Sequence, residues 1–237
     1  MRVVSLVPSA TETLLALGVT PVACTRFCEQ PGLATVGGTK NPEVEQIAEL
    51  EPDLVVVNDE ENRLEDVERL GRLGLAIHSM SPRSVTEVGP AVAGLASAVG
   101  VDVPEPFTAD GWSRWLEEQR RRLKGEPRRA FVAVWRKPWM TLAGDTYGSS
   151  LLDLLGCFNV FTGDGVRYPV VELADAAGRR PDLVLLPTEP YPFKEKHVAE
   201  IAAGVPGAHV RIVDGQDLFW WGIRTPGAVD RLSDALL

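Results

Sequence analysis

The chain has 237 residues, 45% of them hydrophobic and 24% charged, enough to bury a large core as one domain or as two lobes. A net charge of −9 argues against general nucleic-acid binding, which requires a basic face. No apolar stretch approaches the roughly 20 residues needed to cross a bilayer, so membrane insertion is not expected.

The first eighteen residues read as a strand, a turn and a short helix. Val3–Val7 is an apolar β-rich run that Pro8 ends; Ser9 and Glu12 match a capping box, and Gly18 closes the helix. No charged n-region, long apolar h-region or cleavage site stands before this unit. That reads as a cytoplasmic location on the sequence as given, and an extracytoplasmic one had a signal been removed.

Further strand-like runs are Pro21–Thr25, Asp53–Val57, Leu75–Met80, Ala130–Trp135, Asp182–Leu186 and Val210–Val213. Helical patterns fill the gaps at Pro42–Leu50, Asn62–Leu73, Val85–Val99, Ser149–Leu155, Lys194–Ala203 and Thr225–Leu236. Such alternation predicts an α/β fold of parallel sheets flanked by helices. Between them, Thr108–Lys124 is rich in helix formers, with Trp112, Trp115, Leu116 and Leu123 near one face. The organisation read from this is an N-terminal α/β lobe (1–104), a long rigid connecting helix (105–126) and a C-terminal α/β lobe (127–237). The halves echo each other: Pro52-Asp53-Leu54-Val55-Val56-Val57 returns as Pro181-Asp182-Leu183-Val184-Leu185-Leu186, and an acid, Glu60 or Glu189, stands eight residues after each proline.

Arg120, Arg121, Arg122, Lys124, Arg128 and Arg129 read as a solvated helix face and its exit, with an anionic partner as the sharper alternative. Cys24, Cys28 and Cys157 make no disulfide framework. Cys24 and Cys157 are expected to be buried, and Cys28, in the loop Arg26–Pro31, to be more exposed, with a metal site there as a minor alternative.

In open parallel sheets ligands bind beyond the carboxyl ends of the strands, which directs attention to the residues just after each run. Trp135, Trp139, Trp220 and Trp221 crowd such positions in the second half and would suit a flat or bulky organic ligand. Arg136 and Arg224 follow aromatic clusters and could meet an anionic ligand group or an internal carboxylate. Asp59, Glu60 and Glu61 form an acidic trio before a helix, which the helix dipole would favour, with a docking surface or a metal site as the alternatives. His78, at a strand end, His197, on a helix expected to be exposed, and His209, leading a strand, are scattered. Neither a phosphate loop nor a nucleophile elbow is present, and no residue is assigned a catalytic or metal-ligating role.

Val-Ser-Leu-Val-Pro-Ser-Ala-Thr-Glu at 4–12, Gly18 and the Phe27-Cys28-Glu29-Gln30-Pro31 loop resemble the helical-backbone substrate-binding proteins of ABC importers, most of all their cobalamin-binding type. Val36–Pro42, Asn58–Arg63, Glu189–His197 and Val213–Gly222 are similar to segments of one such branch. The resemblance implies two α/β lobes joined by one rigid helix, a ligand cleft between them, a monomer and no enzymatic activity. It implies a small metal-chelate ligand (a corrinoid, haem or a ferric siderophore) with no intrinsic cofactor. By position it carries corrin-holding roles onto Phe27, Tyr168 and Trp220/Trp221, while Asn58 and Gln30 depart from the usual pattern. Combined with the strand-end reading, the expected ligand-binding set is Phe27, Cys28, Asn58, Glu60, Trp135, Trp139, Tyr168, Glu189, Tyr191, Trp220, Trp221 and Arg224. Glu61, Glu65 and Glu172 are the nearest candidates for docking an ABC permease. Competing readings are a cytoplasmic small-ligand sensor that reuses the fold and an enzyme of metal-tetrapyrrole chemistry.

Overall fold

The computed structural model describes residues 1–123 and 126–236; Lys124 of the basic run and the end of the connecting segment lie outside the described residues. The described chain forms two compact units. The first comprises residues 1–82, 86–113 and 221–224, and the second 83–85, 114–220 and 225–237.

The first part of the chain runs β1 (Val3–Ser5), α1 (Pro8–Ala16), β2 (Ala23–Cys24), a 3₁₀ turn (Arg26–Cys28), β3 (Ala34–Thr35), β4 (Gly37–Gly38) and β5 (Asn41–Pro42). It continues with α2 (Val44–Glu49), β6 (Leu54–Val57), α3 (Leu64–Arg72), β7 (Ile77–Ser79), α4 (Val85–Val99) and α5 (Ala109–Arg122). A five-stranded parallel sheet in the order β3-β2-β1-β6-β7 forms the centre of the first unit. Its middle strands, β1 and β6, are buried at every position. That is why β6 reads as an unbroken apolar run and β1 as two valines and a buried serine: helices cover both faces of a parallel sheet. Val4, Leu6, Val36, Ile47, Val55 and Leu70 form the core.

The later elements are β8 (Arg128–Val132), α6 (Tyr147–Leu154), β9 (Cys157–Asn159), α7 (Leu173–Gly178), β10 (Leu183–Pro187), α8 (Glu195–Gly204), β11 (His209–Val213), α9 (Gly215–Phe219) and α10 (Thr225–Leu236). Here the sheet order is β11-β10-β8-β9, again all parallel. β10 is buried throughout, whereas the edge strand β11 alternates exposed and half-buried residues up to Val213. Phe131, Phe161, Leu186, Phe193 and Ile201 anchor this second core.

The echoed Pro-Asp-Leu-Val segments perform the same mechanical task in each unit. Asp53 accepts the Arg2 backbone N–H at 2.6 Å through its carboxylate and returns its own N–H to Arg2 O at 2.8 Å. Asp182 does the same with Arg129, at 2.8 Å in both directions. The two arginines then donate to carbonyls at the foot of the adjoining helix, Arg2 to Leu50 and Arg129 to Arg179 and Arg180. The aspartates therefore set the register in which each central strand enters its sheet.

Several local expectations change. Pro8 begins α1, since its missing N–H costs nothing at the first helical position. Val7 is the N-cap and no side chain caps the helix, so Ser9 and Glu12 form no capping box. The short elements β3, β4, β5, β9, α7 and α9 carry too few residues for a periodic signal. Trp112 is buried and stacks on Phe107 at 5.1 Å, and Trp115 is half-buried. Arg120, Arg121 and Arg122 are exposed, as expected of a solvated face.

Candidate functional site

In the first unit the carboxyl ends of β2 and β6 carry the residues singled out from sequence. β2 passes through Thr25 into the 3₁₀ turn, where Phe27 is 50% exposed and Arg26 lies over its ring, 4.9 Å from the centroid. Cys28 points the other way. It is buried, with its sulfur 3.2 Å from Thr11 Oγ1 and 3.3 Å from Thr25 Oγ1, so the expectation of an exposed, ligand-facing cysteine is corrected. Cys24 is buried as well, and burial, with Cys28 beside it, pushes its thiol up to about 12. Burial pushes the Cys157 thiol up to about 11. Such groups remain protonated at neutral pH and are poor metal ligands. Among the described residues no group of three His, Cys, Asp or Glu side chains is arranged to hold a metal.

The loop after β6 is held by two buried asparagines. Asn58 donates through Nδ2 to Met80 O at 2.7 Å, and its Oδ1 accepts from Glu60 N at 2.7 Å and Glu61 N at 3.1 Å. Asn62 accepts from Asn58 N at 2.9 Å and donates to Thr39 O at 2.9 Å and Leu6 O at 3.3 Å. Asn58 is thus committed to bracing the loop, and its place among ligand-facing residues is corrected accordingly. Glu60 and Glu61 ride half-buried on the crest, with Lys40 Nζ bonded to Glu60 O. Burial raises the Glu61 carboxyl, Lys40 pulls it back, and Glu60 raises it again. Glu65 is exposed in the first turn of α3, and Glu172 is exposed at the N-cap of α7. Beside the loop lies a small cavity of about 160 Å³, lined by Val57, Asn58, Leu64 and Ile77 among others.

Arg224 is also spoken for. Its guanidinium forks onto Glu12, with Nε–Oε2 at 2.9 Å and Nη2–Oε1 at 2.7 Å, both within the first unit. This pair removes the simplest case for Arg224 as an anion receptor.

The second unit assembles aromatics at the carboxyl ends of β8 and β10. Beyond β8 the chain turns back on itself at Trp135–Met140, with Lys137 at φ 65° and a bridge between Trp135 and Met140. Beyond β10, Glu189-Pro190-Tyr191-Pro192-Phe193 leads into α8. Trp135 meets Tyr191 edge-on at 5.5 Å; Tyr191 meets Phe193 at 4.7 Å; Trp139 lies parallel to Phe193 at 6.1 Å. His197 closes the array, its ring edge-on to Tyr191 at 5.6 Å and to Phe193 at 5.5 Å. Trp135 is 41% exposed and forms the open end, whereas Phe193 is buried.

His197, predicted on an exposed helix face, is in fact buried. Its Nδ1 accepts the Lys194 backbone N–H at 2.9 Å, fastening the aromatic turn to the start of α8. Burial and the nearby Lys196, Arg136 and Lys194 cations push the imidazole below its ordinary range, against Glu200. Arg136 forks onto Glu200 at 2.9 and 3.1 Å and lies 6.0 Å from the Trp139 ring centroid. The Glu200 bond, followed by the Tyr191 hydroxyl, raises the Arg136 guanidinium further.

Tyr168 lies half-buried on the segment that runs beside this turn, where Ala143 N bonds Arg167 O and Thr141 N bonds Pro169 O. The two final tryptophans part company. Trp220 is half-buried at the C-cap of α9 in the second unit, and Trp221 is 6% exposed in the first. The preceding residues form a helix rather than a strand end. Its aspartate cap, Asp214 Oδ1 accepting Gln216 N at 2.8 Å, was the available signal.

Comparison with known proteins places this geometry. The model of the periplasmic binding protein family matches residues 3–200. The chain belongs to that family. A vitamin B12-binding protein of Vibrio cholerae serotype O1 is 25% identical over 190 residues, covering 77% of this chain and 69% of that protein. The solved periplasmic vitamin B12-binding protein of Vibrio cholerae superposes with a TM-score of 0.82 at 23% identity, over 99% of this chain and 96% of that one. A periplasmic haem-binding protein of the same organism gives 0.81 at 19% identity, over 100% and 98%. At these identities the superpositions establish the fold: parallel sheets flanked by helices. No described helix is long and apolar enough to cross a membrane.

Proposed function

We propose that the protein is a solute-binding protein for a planar metal-chelate ligand of the corrinoid or haem type, serving ABC import. The observation that carries this reading is the aromatic array Trp135–Tyr191–Phe193–Trp139, set at strand carboxyl ends and open at Trp135. Stacked and edge-on rings offer ordered apolar area to a flat ligand. The vitamin B12-binding and haem-binding proteins to which the chain is similar support the same class. Trp135, Trp139, Tyr191 and the neighbouring Tyr168 and Glu189 are the proposed contacts in the second unit, with Trp220 beyond α9. Phe27 and Glu60 are the proposed contacts in the first.

No residue is proposed as catalytic. His78, His197 and His209 stand on different elements, and the one beside the array is bound to backbone. Glu65 and Glu172, both exposed at helix starts, are better placed to meet a permease than the half-buried Glu61. The periplasmic relatives favour an extracytoplasmic place of action over the cytoplasmic one expected from sequence. Incubation with cyanocobalamin, haem or a ferric siderophore, followed by thermal unfolding, tests the reading. At a ligand concentration of about a hundred times Kd, binding adds roughly 2.7 kcal/mol of stability. Absence of stabilisation by all three would overturn it.

A further inference from the structure

We infer that Arg26 is a specificity-determining residue that reads an anionic substituent on the bound ligand, an inference that rests on the binding function proposed above. Arg26 directly follows Thr25 at the carboxyl end of β2, the edge of a parallel sheet where ligands bind. Its guanidinium lies over the exposed Phe27 ring, 4.9 Å from the centroid, and the residue is itself exposed. Among the described residues no carboxylate pairs with it. The strand-end arginines Arg136 and Arg224 differ, each forking onto a glutamate of its own unit.

The seat of this side chain is specific. The guanidinium lies close to Gly38: a Cβ there would stand 3.0 Å from Arg26 Nη2 and 3.2 Å from Cζ, and 2.8 Å from Asn41 Oδ1. The Phe27 ring lies on one side of the guanidinium and Gly38 is near it on another, and among the described residues no carboxylate forms an ion pair with the cation. A planar five-donor fork held beside an aromatic surface suits a carboxylate carried at the rim of a flat, apolar ligand. An amide-substituted rim would meet the same donors without the charge.

The test uses iron protoporphyrin with free propionates and its dimethyl ester, titrated against the wild-type protein, Arg26→Gln and Arg26→Lys. The expected result is that wild type binds the diacid about tenfold more tightly than the diester, a preference that shrinks in high salt. Arg26→Gln removes that preference by weakening the diacid alone, and Arg26→Lys retains part of it. Equal affinity of wild type for the two porphyrins, or an equal loss for both in Arg26→Gln, overturns the inference. Thermal unfolding of the two variants separates a charge effect from damage to the fold: an equal loss accompanied by a lowered midpoint counts against a role in recognition. If cyanocobalamin binds and neither porphyrin does, the inference falls while the binding function stands. If none of the three binds, both fall.

Discussion

Replacing His197 by alanine removes the brace of the aromatic array. The imidazole contributes one acceptor, Nδ1 to Lys194 N at 2.9 Å, and two edge-on ring contacts, to Tyr191 and Phe193. Losing the acceptor at a helix start costs about 1 kcal/mol. Each ring contact contributes about 1 kcal/mol, so the truncation as a whole destabilises the second unit by about 3 kcal/mol. His197→Asn is the informative companion, because its Oδ1 stands near the position of Nδ1. It restores the bond to Lys194 without the ring and recovers about 1 kcal/mol. Urea unfolding followed by tryptophan fluorescence reads both effects, since Trp135 and Trp139 belong to the array. Should His197→Ala unfold within about 0.5 kcal/mol of wild type, or His197→Asn match His197→Ala, the bracing role assigned to the imidazole is wrong; the first threshold is the ordinary scatter of surface substitutions.

The same residue makes stability depend on pH. The folded His197 imidazole titrates below its ordinary value, so the unfolded state binds more protons across that interval and stability rises with pH. Its contribution is complete above about pH 6.5 and is lost as pH falls through the depressed folded value. Burial acts on His78 with the same sign. Urea unfolding at acidic and neutral pH should show a smaller acid loss in His197→Asn than in wild type. Trp135→Ala is expected to weaken haem or cobalamin binding about tenfold while costing only about 1 kcal/mol of stability, the lost contact with Tyr191, since the residue is 41% exposed; isothermal titration checks the first and calorimetry the second. Gly222→Ala is expected to cost about 2 kcal/mol. Its φ is 105° and the new Cβ would stand 2.3 Å from Thr13 Oγ1, so adding Thr13→Ala should recover part of the loss in denaturant melts and leave the backbone share.

The sheets were legible because burial on both faces leaves central strands no polar positions, and β6 and β10 show none within their apolar runs. The Pro-Asp echo was legible too, and the structure supplies its cause in the paired Asp53–Arg2 and Asp182–Arg129 bonds. What could not be read was how each polar strand-end residue spends its side chain. Asn58 and Cys28 stand where a ligand could be met, yet their partners come from Met80 and from Thr11, well outside any local window. Arg224 finds Glu12 across 212 positions of sequence. His197 looked exposed because helical periodicity does not register that the preceding Tyr191–Phe193 turn folds over it.

These failures share a direction, and it bears on how the site works. Near the strand ends, buried polar groups hold loops: Asn58, expected to face a ligand, and Asn62 brace the crest after β6, His197 the turn after β10, and Thr11 with Thr25 the turn after β2. What they leave outward is aromatic surface, Phe27 in one unit and Trp135 in the other. Loops that are free would lose conformational entropy on every binding event, whereas loops already braced lose little. On the proposed function, prearranged rings in either unit would gain affinity from apolar contact, and selection among flat ligands would pass to charges that bracing has not consumed. Arg26 is such a charge. Loosening a brace such as Asn62→Ala should therefore weaken haem and cobalamin alike, whereas changing Arg26 should separate ligands by the charge at their rim.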